Sequence, residues 1–149
     1  MDNTFFLQEA LNNENVPDNF EMIYAEFQKF QELALDTLKE FHRVCEVNKI
    51  HYQLAFGSLL GAIRDGGQIP WDYDVDVFVP IEEKKYLIEA LEKDLNSKYY
   101  YYCPENNNKC RHVIMRVAPK GFRSEVLHVD VFFISGSPDD KEKRKDYVN

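Results

Sequence analysis

Apolar and aromatic residues recur along the first part of the chain at alternating steps of four and three: Phe20, Tyr24, Phe27, Ala34, Leu38, Phe41 and Cys45, with Gln31 the one polar member of the series. That period places them on one face of a long helix. Ile23, Phe30 and Val44 widen the stripe, which predicts a helix packed on a core rather than a free coiled coil. Asp18 or Asn19, just after Pro17, is placed to cap its start.

From His51 the pattern changes. His51–Phe56 predicts a strand that enters Gly57-Ser58, and Leu59–Arg64 a short helical turn broken by Asp65-Gly66-Gly67. Ile69-Pro70-Trp71 reads as a connecting loop, and the β-branched and aromatic run Tyr73–Val79 as a strand stopped by Pro80. Glu82–Leu95 predicts a second helix with Leu87, Ile88, Leu91 and Leu95 on its apolar side. Tyr99–Tyr102, Arg111–Val117 and Val126–Ile134 read as three further strands, the first two joined by a turn at Asn106-Asn107-Asn108. The order predicts an α/β fold, a mixed and largely antiparallel sheet with helices packed against it. Residues 1–17 read as a loose arm, residues 18–136 as one domain, and residues 137–149 as a charged segment, either the end of the domain or the point where a longer protein has been cut.

Composition bounds the function. The 149 residues are 44% apolar and 30% charged, ordinary for one globular domain with a core. A net charge of -8 argues against a broad nucleic-acid surface. No run has the length of a membrane helix, and the N-terminus has no signal-peptide pattern. Three cysteines, Cys45, Cys103 and Cys110, do not make a disulfide framework, so a cytoplasmic location is expected.

The chemistry concentrates in Gly57–Val79. Asp72, Asp74 and Asp76 occupy every second position ahead of Val77-Phe78-Val79. In a strand that begins early enough they share a face, with Tyr73, Val75 and Val77 available to the core. Asp130 is a further acid flanked by apolar residues on a later strand. Clustered carboxylates repel and lose hydration on burial, so something must offset the cost. A divalent cation does so. Oxygen-only donors with open positions suit Mg²⁺ or Mn²⁺. A Gly57-Ser58 turn would add backbone N–H groups and a hydroxyl for a phosphate.

Gly-Ser, then Asp-x-Asp, then a third acid resembles the nucleotidyltransferase superfamily. More narrowly, Gly57-Ser58-Leu59-Leu60-Gly61-Ala62-Ile63-Arg64, Gly66-Gly67 and Ile69-Pro70-Trp71-Asp72-Tyr73-Asp74-Val75-Asp76 resemble the LicD family of phosphocholine transferases and fukutin-like proteins. The resemblance implies a nucleotidyltransferase-like fold and a metal-dependent transfer of a phospho-alcohol from a CDP-linked donor to a sugar or glycan hydroxyl. By position, Asp74 and Asp76 would hold the metal; Asp130 would be the third acid, assigned by its strand context rather than by a sharp motif. Gly57 and Ser58 would contact donor phosphates. Tyr73 stands where the family often has an aspartate, and family members are usually longer.

Other readings of the same residues stay open. Arg64 is placed either to hold a phosphate or to pair with Asp65 or Asp72. Trp71 packs the loop or stacks on a base. Asp72 caps the loop or joins the other acids. Asp130 pairs with Arg111 or Arg116, or completes the metal shell, and His128 shares its strand parity. Cys103, Cys110 and His112 lack a fourth ligand for zinc. A calcium loop opening at Asp72 would end at Glu83 but would need glycine at Val77. A nucleotidyltransferase that uses an NTP, and a non-catalytic binding domain of the same fold, are the alternative functions.

Overall fold

The computed structural model describes residues 20–106, 114–122 and 127–136, and side chains from residue 25 onward. The expected cap at Asp18 or Asn19, the arm 1–17, Cys110, His112, Arg111, most of the Asn-rich turn and the segment 137–149 lie outside these residues.

Helix α1 runs Phe20–Asn48, as the apolar period predicts. Ala34, Phe41, Val44 and Cys45 are buried. The helix stops where Lys49 takes a left-handed φ of 56° and the Ile50 N–H reaches back to the Cys45 carbonyl at 2.9 Å. This is the helix-ending arrangement that turns the chain away while satisfying the last carbonyls. The first strand is short, β1 at Gln53–Leu54, and helix α2 begins at once, Phe56–Arg64. Gly57 and Ser58 therefore form the first turn of a nine-residue helix, not a turn between strand and helix as expected. Strand β2 follows at Val75–Pro80. A short 3-10 turn, Ile81–Glu83, leads into α3, Lys84–Asp94. Strands β3 (Tyr99–Tyr102), β4 (Met115–Pro119) and β5 (Val129–Ile134) complete the sheet.

Among the described residues the five strands lie in the order β1-β2-β5-β4-β3. Three pairs are antiparallel, and β2 with β5 is parallel. The fold is thus mixed α/β. Alternation decides which face is the core. Val75, Val77 and Val79 of β2, Met115 and Val117 of β4, and Val129 and Val131 of β5 are all buried, in one cluster with α1 residues and with Leu87, Ala90 and Leu91 of α3. The opposite face carries the intervening residues: Asp76, Phe78, Arg116, Asp130 and Phe132. Helix α2 lies against β2 but buries only Gly61; its apolar side chains Phe56, Leu59, Leu60 and Ile63 are exposed. Phe56, Phe78 and Phe132 pack edge to face, with ring centroids 5.0 to 6.2 Å apart.

Candidate active site

The site begins with the register of β2 and β5. The parallel pairing sets Asp76 directly beside Asp130, and the antiparallel pairing of β5 with β4 sets Asp130 beside Arg116. Three charged residues thus form a row across one sheet face. Neighbouring strands are about 4.8 Å apart, so the row brings together residues remote in sequence.

Asp72 and Asp74 stand in a different setting. Strand β2 starts at Val75, later than the alternation suggested, so both precede it. Tyr73 is 53% exposed and is not part of the core, contrary to expectation: it precedes β2, and no strand among the described residues pairs with it there. Asp72 is held instead by a turn. Its N–H bonds the Ile69 carbonyl at 2.9 Å, closing Ile69-Pro70-Trp71-Asp72 with Pro70 in the second position, where its fixed φ suits a β-turn. Trp71 is 64% exposed at the tip of this turn. A Cβ on Gly57 would lie 2.5 Å from Asp72 Oδ2, so glycine there lets the carboxylate lie close over the start of α2, and a larger residue would push that side chain aside.

Ser58 is bound into the same corner. Its Oγ accepts the Asp76 N–H at 2.9 Å, and the Asp76 carbonyl accepts the Ala55 N–H at 2.9 Å. Both backbone groups of Asp76 are thereby tied to the entry of α2. Arg64, at the other end of that helix, donates through Nε and Nη2 to Asp65 at 2.8 and 2.7 Å. Seven residues at 1.5 Å each put it roughly 10 Å along the helix from Gly57. Of the two sequence readings of Arg64, the structure displays the pairing with Asp65.

The carboxylates differ electrostatically. Burial, with Asp74, Asp130 and Asp72 as like-charged neighbours, pushes Asp76 up to about 6, against a smaller opposing effect of His128. Asp72 is also raised, by burial and by the adjoining Asp74 carboxylate. Asp130 goes the other way. Burial would raise it, yet hydrogen bonds and charge from His128 and Arg116 outweigh burial and hold it below the usual range. Arg116 Nε donates to Asp130 Oδ1 at 2.8 Å, and His128 Nε2 lies 3.3 Å from the same oxygen. His128 is 5% exposed, and its Nδ1 is buried without a hydrogen-bond partner among the described residues. It is therefore a packed histidine beside the acid.

Asp74 and Asp76 offer only oxygen donors, and Asp76 carries like charge on several sides; this donor set fits a hard divalent cation. Among the described residues no three acid, histidine or cysteine side chains converge as a ready-made cage. Asp130 is already engaged by Arg116 and His128, so the fit rests on the Asp74/Asp76 pair. For calcium the backbone is wrong: Val77 lies inside β2, and Glu83 accepts the His51 N–H at 2.7 Å. Cys103 is buried.

One residue of the site was visible in the sequence only as an anomaly. Gln31, the polar member of the apolar stripe, is 7% exposed and donates from Nε2 to the carbonyls of Asp72, Ile69 and Pro70 at 2.7, 3.0 and 3.4 Å. Nothing in the local pattern tells which loop such a glutamine meets.

The chain is similar in sequence to known proteins. Over 69 residues the chain is 39% identical to the lipopolysaccharide cholinephosphotransferase LicD of Haemophilus influenzae, covering 46% of this chain and 26% of that protein. Over 40 residues it is 52% identical to the ribitol 5-phosphate transferase FKRP of Homo sapiens, covering 27% of this chain and 8% of FKRP. Mannosyltransferase regulator 14 of Saccharomyces cerevisiae is 29% identical over 68 residues, 46% of this chain and 7% of the regulator. The matched stretches thus span about a quarter or less of these relatives. The family profile described as "LicD/FKTN/FKRP, nucleotidyltransferase domain" matches residues 49–147, more than half of the chain and all four acids, and the chain belongs to this LicD family.

Proposed function

We propose that this domain transfers a phospho-alcohol from a CDP-linked donor to a glycan hydroxyl. The observation that carries the reading is the register of β2 and β5, which puts Asp76 beside Asp130 under the first turn of α2. Membership of the LicD family supports transfer chemistry, and the H. influenzae and human relatives are both named as transferases of a phosphorylated alcohol.

In this reading the acceptor hydroxyl oxygen forms a bond to the alcohol-bearing phosphorus, the bond from that phosphorus to the CMP oxygen breaks, and the hydroxyl proton leaves to solvent or a nearby carboxylate. Asp74 and Asp76 would hold Mg²⁺ or Mn²⁺, which when bound supplies neutralisation of phosphate charge. The chain's own contribution is placement. Ser58 and Ala55 hold Asp76 by its backbone, leaving its carboxylate on the open sheet face. Arg116 and His128 keep Asp130 ionised and fixed in place beside Asp76. Positioning of this kind accounts for much of the rate in phosphoryl transfer.

The test is release of CMP from CDP-choline and CDP-ribitol with Mg²⁺, using methyl glycosides as acceptors. Release should require both donor and metal and should be lost in Asp74→Asn and Asp76→Asn. Release of pyrophosphate from CTP or ATP, with CDP-alcohols inert, would instead establish a nucleotidyltransferase proper. Turnover by Asp76→Asn at the wild-type rate would refute the role given to the acid.

A further inference from the structure

We infer that Gln31 is a positioning residue for the acidic site, acting through the turn that carries Asp72; its catalytic consequence rests on the transferase reading above, whereas its mechanical role rests on geometry alone. The residue lies on α1, outside the span matched by the family profile, residues 49–147.

The argument starts from the chain between α2 and β2. Residues 65–74 contain no helix or strand, yet they include Asp72 and Asp74. A stretch of that kind needs outside support to hold two carboxylates in place. It has support on two sides. On one, Asp65 and Gly67 both donate their N–H groups to the Gly61 carbonyl, at 2.8 and 3.3 Å. On the other is Gln31. Its amide nitrogen has two hydrogens, and the closest acceptors are Asp72 O at 2.7 Å and Ile69 O at 3.0 Å. These are the last and first residues of the β-turn. A single side chain thus grips both ends of the turn, with the Pro70 carbonyl at 3.4 Å between them.

Energetics explain why a glutamine interrupts an otherwise apolar stripe. Ile69 and Pro70 are buried, and buried carbonyls without donors are costly. An apolar side chain at position 31 would leave the Pro70 carbonyl facing hydrocarbon, the Ile69 carbonyl with the Asp72 N–H alone, and the Asp72 carbonyl without its 2.7 Å bond. The turn would then move to find water, taking Asp72 away from Gly57 and loosening Asp74 beside it.

The protein carries its own reporter. Trp71 is the only tryptophan in the chain and lies inside the gripped turn. Gln31→Met keeps side-chain length and removes the donor. Gln31→Glu keeps the shape and presents an oxygen to the carbonyls. Time-resolved fluorescence anisotropy of Trp71, measured on the full chain without metal, is expected to gain a fast local component in Gln31→Met and a larger one in Gln31→Glu, with far-UV circular dichroism unchanged. In the CMP-release assay with CDP-choline, kcat should fall by about 10- to 100-fold while KM for the donor stays within about threefold, since misplacement of the reacting geometry acts on the chemical step. Unchanged Trp71 motion in both variants would overturn the inference. So would kcat and KM moving together in proportion to lost melting temperature, the outcome for a glutamine that serves only folding. If wild-type protein releases CMP from neither CDP-choline nor CDP-ribitol, the transferase reading fails, and the anisotropy alone then decides whether Gln31 holds the turn.

Discussion

Replacing Asp76 by asparagine should make the metal-free protein more stable at neutral pH. The like-charged neighbours of Asp76 are Asp74, Asp130 and Asp72. An acid moved from 3.8 to about 6 carries ~3 kcal/mol of unfavourable interaction in its ionised form. The group is only partly buried, so solvent screening reduces this to about 1–2 kcal/mol. Asparagine has nearly the same shape and no charge, and the backbone bonds to Ser58 and Ala55 remain. At pH 7 with chelator, Asp76→Asn should therefore melt roughly 3–8 °C above wild type. The pH dependence has a definite sign. Because the folded-state pKa is raised, folding favours the protonated acid between about 4 and 6, and this contribution is lost as pH rises through that window. Below about pH 4 both states of wild type are protonated and the advantage of the variant should vanish. Calorimetric melts at pH 4 and pH 7 make the comparison. A variant less stable than wild type at pH 7, or a gain independent of pH, would refute the electrostatic account. The same substitution should abolish transfer, so stability and activity would move in opposite directions.

Asp130→Asn should act oppositely although the two acids are neighbours: it weakens an ion pair with Arg116 whose side chains are 14% and 11% exposed, at a cost of about 2–4 kcal/mol in urea unfolding. A neutral or stabilising result would mean that Asp130 is not held as described. Gly61→Ala should cost at least about 1–3 kcal/mol, because the added carbon would meet the Gly67 carbonyl at 2.5 Å and the Ile69 nitrogen at 2.9 Å. Gly67→Ala, whose Cβ meets nothing within 4 Å, should unfold at the wild-type midpoint. Equal midpoints for the two alanine variants would rule out close packing of α2 on the loop.

Periodicity made the core legible: α1, α3 and the buried valines of β2 follow from steps of 3.6 and 2, and Tyr99–Tyr102 forms its strand at the expected ends. Where packing overrides local pattern the reading drifts. Gly57-Ser58 looks like a turn in sequence, yet Ala55 bonds β2 and starts a helix there. Asp72 and Asp74 continue the alternation of Asp76, but β1 is too short to offer them a partner, so the strand starts after them. The pairing of Asp76 with Asp130 depends on a register between separate segments, and the grip of Gln31 on a distant turn depends on tertiary contact. Neither is encoded in any local spacing. The resemblance of Gly57–Asp76 to a known family implied that these acids act together, but it supplied neither the register nor the contact of Gln31.

The strand order has a consequence for how the domain is made. Strand β5, the latest of the five to leave the ribosome, sits in the middle of the sheet, with β2 on one side and β4 on the other. A nascent chain can form the β3–β4 hairpin early, yet it must keep a slot open beside β2 until residue 134 emerges. Such non-local closure is slow, and it exposes two unpaired strand edges while it waits, a state that invites association with other chains and protection by chaperones.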